Sequence, residues 1–62
     1  METYKTRKLS DTNTLHCEIE KTFMDNYSIV LYDTYGDLWI EKFAPTYEEA
    51  TVVADKLLKK NY

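Results

Sequence analysis

The sequence predicts an α+β fold, a three-stranded antiparallel meander followed by one C-terminal helix (βββα). Two strand-like runs flank Asp25-Asn26, and a third follows Asp33-Thr34-Tyr35-Gly36-Asp37. After the single proline, Pro45, the apolar period changes from two residues to about 3.6. With 62 residues the chain has room for one domain. Residues 14–62 are expected to form it, and residues 1–13 to be a flexible or edge-strand segment.

Leu15 to Phe23 alternates apolar and polar side chains apart from Lys21, the pattern of a half-buried strand. Asp25-Asn26 tolerates positive φ and suits a two-residue hairpin turn. Tyr27 to Tyr32 is β-branched and aromatic, the composition of a central strand. Asp33 and Gly36 then occupy the first and fourth positions of a type I turn. Leu38 to Phe43 is the third strand, ended by Pro45, which cannot donate to a ladder. Thr46 with Glu49 reads as a capping box opening a helix over 46–61. Glu48 and Glu49 suit its positive end, and Lys56, Lys59 and Lys60 its negative end. Tyr47, Ala50, Val53, Ala54, Leu57 and Leu58 share one face of that helix.

Pairing Asp33 with Asp37 places Tyr32 beside Leu38 and Val30 beside Ile40 on one side of the sheet. A two-residue turn at Asp25-Asn26 adds Leu15, Cys17 and Ile19 to that side. The other side then holds Met24, Tyr27, Ile29, Leu31, Trp39 and Phe43, with Glu41 among them. One helix covers one face, so the second is expected to remain as an apolar patch that binds a partner. A one-residue slip of register would instead mix the faces, and the first dozen residues could fold back as a cover.

Net charge is −3, divided as +1 over residues 1–14 and −4 over residues 15–62. An acidic body disfavours nucleic acid, whose binding draws on phosphate neutralisation. The first 14 residues contain no apolar run of the signal-peptide kind, and no stretch reaches the roughly 18 apolar residues of a membrane span. A soluble cytoplasmic protein is expected, in the host cytoplasm if the chain is phage-encoded.

His16 and Cys17 are the only imidazole and thiol. Neighbours on a strand point to opposite faces, so they are not expected to form an activated pair, and Cys17 shares the parity of Leu15 and Ile19. One of each supplies no zinc set, and the lone Gly36 no phosphate cradle. Neither a cofactor nor a metal is expected. Glu18 and Glu20 share a face with His16 but read as a solvated strand face.

The hairpin followed by Thr46-Tyr47-Glu48-Glu49-Ala50, Ala54 and Leu57 is similar in order to the arm-type DNA-binding domains of tyrosine-family integrases, over about residues 27–60. That resemblance implies DNA binding through a basic sheet. The corresponding strands here offer Lys21 and Lys42 beside Glu18, Glu20 and Glu41.

The expected function is a small non-enzymatic protein-interaction module, in one form a phage or mobile-element inhibitor that binds a host protein. A nucleic-acid binder using Lys5, Arg7, Lys8 and Lys21 with stacking aromatics is the alternative, and a structural homodimer is a further one.

Overall fold

Residues 2–60 are described in a computed structural model of the chain. Strand β1 spans Glu2–Lys8, β2 Thr14–Lys21, β3 Tyr27–Tyr32 and β4 Leu38–Ala44, and helix α1 spans Tyr47–Lys59. The α+β class is as expected, but the sheet has four strands, in the order β1-β2-β3-β4 and all antiparallel. The segment expected to be a flexible or edge-strand terminus supplies the fourth.

Sequence patterning misses β1 because Glu-Thr-Tyr-Lys-Thr-Arg-Lys has no apolar alternation. Long-range bonds hold it in place. The Tyr4 hydroxyl and the Lys5 ammonium both donate to Asp55 Oδ1, at 3.3 and 3.1 Å. Arg7 Nη1 donates to the carbonyls of Leu58 and Lys60, each at 2.7 Å. These carbonyls lie at the helix C-terminus, where orphan acceptors and the negative dipole end favour a guanidinium. The ion pair with Lys5 holds the Asp55 carboxyl below the ordinary aspartate range.

Thr46 Oγ1 accepts from the Glu49 amide at 3.2 Å, so α1 opens on its expected cap. Ala50, Ala54, Leu57 and Leu58 are buried, and they meet Leu15, Cys17, Ile19, Ile29 and Leu31 from the sheet. The small side chains at 50 and 54 let the helix backbone lie close to β2 and β3. Tyr47 stays half exposed, its ring edge-on to Tyr27 with centroids 5.7 Å apart.

Two local events set which side chains share a face. The β2–β3 connection is the longer loop 22–26 rather than a two-residue turn, so Ile19 pairs with Ile29 and Cys17 with Leu31. Between β3 and β4 the register shifts after Leu31, placing Leu31 opposite Ile40 and Val30 opposite Glu41, while Tyr32 still meets Leu38. Trp39 is the extra residue of this bulge. Every strongly apolar position of β2 and β3 except Val30 thereby turns toward the one helix. The two-apolar-faces expectation is corrected accordingly. On the reverse side the cross-strand rows read Thr6-His16-Tyr32-Leu38, Thr3-Glu18-Val30-Glu41 and Glu20-Ser28-Phe43. Glutamates flank Val30 on both sides, which breaks any continuous apolar surface.

The turn 33–37 forms as expected, with Gly36 at φ 84° and its amide donating to the Asp33 carbonyl at 3.0 Å. Asp33 is buried and fully occupied. Its Oδ1 accepts the amides of Tyr35 and Asp37 at 2.9 and 3.0 Å, and its Oδ2 accepts Trp39 Nε1 at 3.1 Å. The indole bond, with the two amides, keeps the Asp33 carboxyl below its ordinary value. This aspartate therefore anchors both the turn and the bulge that follows it.

Candidate interaction surface

The last rung of the sheet is Lys21-Tyr27-Ala44, so loop 22–26, Pro45 and the start of α1 all emerge at one end of the molecule. At its tip Phe23 is 100% exposed and Met24 74% exposed. Burying either side chain would gain about 1.5–3 kcal/mol relative to leaving it in water. The fold forgoes that gain twice in succession.

The loop that holds them out is tightly bonded. The Thr22 amide donates to the Asn26 carbonyl at 2.9 Å, the Thr22 hydroxyl to Asn26 Oδ1, and the Met24 amide to Thr22 Oγ1 at 3.1 Å. Asp25 takes φ 58°, a left-handed conformation that aspartate tolerates better than most residues. The two apolar side chains are thus presented from a closed turn. Beside it, Asn26, Phe43, Ala44 and Pro45 line an open concavity of about 250 Å³, and Phe43 is 57% exposed. Phe and Met are among the residue types enriched in interface cores.

Of the six partner-binding residues expected from sequence, this end gathers Met24 and Phe43, with Tyr27 half-buried against Tyr47. Ile29 and Leu31 are 0% exposed beneath α1 and cannot touch a partner, because the register turns them inward. Trp39 lies toward the opposite end, tied to Asp33. Phe23 was missed because it extends the period-2 run of β2. Lys21, which interrupts that alternation, is the signal that the strand stops there.

The basic residues do not converge. Lys5 and Arg7 are engaged with α1, while Lys8 and Lys21 lie at opposite ends of β2. On the reverse face His16 stacks on Tyr32 at 5.2 Å, and the Tyr32 hydroxyl donates to Glu18 Oε1 at 3.0 Å, which raises the tyrosine pKa. Compared with protein-family models, with curated proteins and with solved structures, the chain matches none of them. Among the described residues no helix is long and apolar enough to cross a membrane.

Cys17 is fully buried on the face opposite His16, and burial pushes its thiol up to about 11. At pH 8 it should therefore resist a thiol reagent such as iodoacetamide or a disulfide dye. Labelling should follow the urea unfolding curve, because the thiolate becomes available only when β2 leaves the sheet. Stoichiometric labelling of the folded chain within minutes would show that α1 does not seal this position.

Proposed function

We propose that this chain is a small non-enzymatic protein-interaction module that docks through the β2–β3 loop and the adjoining end of β4. The observation supporting this reading is the pair Phe23 and Met24, both large and apolar, held in solvent by a hydrogen-bonded turn. A rigid apolar projection loses little conformational entropy on insertion into a partner, so more of its burial energy appears as affinity. The same end carries Phe43 and its shallow concavity, which widens the contact. Nucleic acid is a weaker reading because Lys5 and Arg7 are committed to the fold.

The test is photocrosslinking from position 23 in a lysate of the source cell, with a second crosslinker at position 51 on the helix as control. A discrete adduct is expected from position 23 only. An excess of unlabelled chain should suppress it, whereas the unlabelled variant Phe23→Ser with Met24→Ser should compete poorly while differing in stability by less than about 0.5 kcal/mol, since both side chains are already in water. A large fall in the melting temperature would show the tip to be core. An adduct pattern identical from positions 23 and 51 would deny the surface any specificity.

A further inference from the structure

Strand β4 closes one side of the sheet, and among the described residues no strand lies beyond it. A strand in this position presents outward backbone donors and acceptors, a template for another extended chain. The opposite edge, β1, is blunted by Lys5, Arg7 and Lys8 and by the irregularity between Thr3 and Lys5. In β4 the bulge at Trp39 leaves Ile40 to Ala44 in regular register with β3. Glu41, Lys42 and Phe43 of that stretch are all exposed.

A second copy of the chain fits this edge poorly. Two β4 strands related by a two-fold axis pair in few registers. Pairing all seven residues sets Glu41 against the other copy's Glu41. Moving toward the C-terminal end sets Lys42 against Lys42, and one step further leaves only residues 42–44 of each copy paired about Phe43. Moving the other way brings both Trp39 bulges into the ladder. Like charges directly opposite destabilise a sheet.

We propose that β4 receives an extended segment of a different protein, added antiparallel, with the order apolar–acidic–basic–apolar opposite Phe43, Lys42, Glu41 and Ile40. The proposal rests on the docking reading above and names the chemistry of its partner. Residues directly opposite across an antiparallel pair share a face, so the acidic side chain meets Lys42 and the basic one Glu41. The apolar side chains cover Phe43 on the reverse face and Ile40 on the helix side. Main-chain bonds supply the affinity and this charge order supplies the choice of partner.

The probe is a capped peptide, Thr-Ile-Glu-Lys-Val-Thr, titrated to roughly millimolar concentration into the full chain while backbone amide shifts are followed. Shifts and slowed hydrogen exchange should concentrate in residues 40–44. The charge-reversed peptide, Thr-Ile-Lys-Glu-Val-Thr, should bind about five- to tenfold more weakly, and Glu41→Lys with Lys42→Glu should invert that preference. Equal binding of both peptides overturns the charge assignment. Preference for the reversed peptide indicates parallel addition and overturns the register. No shift in β4 overturns strand addition altogether. The last result leaves the crosslinking from Phe23 unaffected, so the two ideas fail separately.

Discussion

Leu31→Ala is expected to leave most of the chain unfolded at room temperature. Leu31 is 0% exposed, pairs with Cys17 on one side and Ile40 on the other, and lies beneath α1. Truncating such a residue costs about 2–5 kcal/mol, from lost transfer energy and the cavity left behind. A core of this size supplies about 3–5 kcal/mol in total, so one substitution removes most or all of it. Far-ultraviolet circular dichroism with a urea titration is the measurement. A native-like spectrum with an unchanged midpoint would mean that Leu31 packs against nothing essential. The sheet face beneath α1 would then be open to partners after all.

Arg7→Ala should release the first strand. The guanidinium satisfies two carbonyls at the end of α1 and bridges a separation of more than fifty residues in sequence. Hydrogen bonds from a charged group contribute about 1.5–3 kcal/mol, and their loss leaves helix-terminal acceptors to water. The melting temperature should fall, and the amides of β1 should lose exchange protection before those of β2 and β3. Arg7→Lys should recover part of the effect, because one ammonium can still reach a carbonyl. Unchanged protection in β1 of Arg7→Ala would show that pairing with β2 alone retains the strand.

These two residues mark where the sequence was legible and where it was not. The strands read at 15–23, 27–32 and 38–43, the turn 33–37 and the cap at Thr46 all follow from local chemistry, although the first of them ends at Lys21. Each depends on side chains within a few positions, such as the Asp33 carboxylate accepting the Tyr35 and Asp37 amides. Placing Leu31 required the register on both sides of β3, and placing Arg7 required knowing where α1 ends. Neither lies within reach of a local pattern. The candidate surface was half visible. Met24 and Phe43 of the expected partner-binding residues are exposed, whereas Phe23 continues the period of the preceding strand and the burial of Ile29 and Leu31 depends on register.

The sequence by itself determined the types of β2, β3, β4 and α1, because periodicity and turn residues act over a few positions. Tertiary structure alone decided which faces meet. A pleated strand alternates every residue, so the longer loop at 22–26 and the bulge at Trp39 each reverse a parity, and together they gather the apolar side chains under one helix. The fourth strand was likewise a tertiary decision, since β1 has little pattern of its own and is held by Asp55 and the last carbonyls of α1.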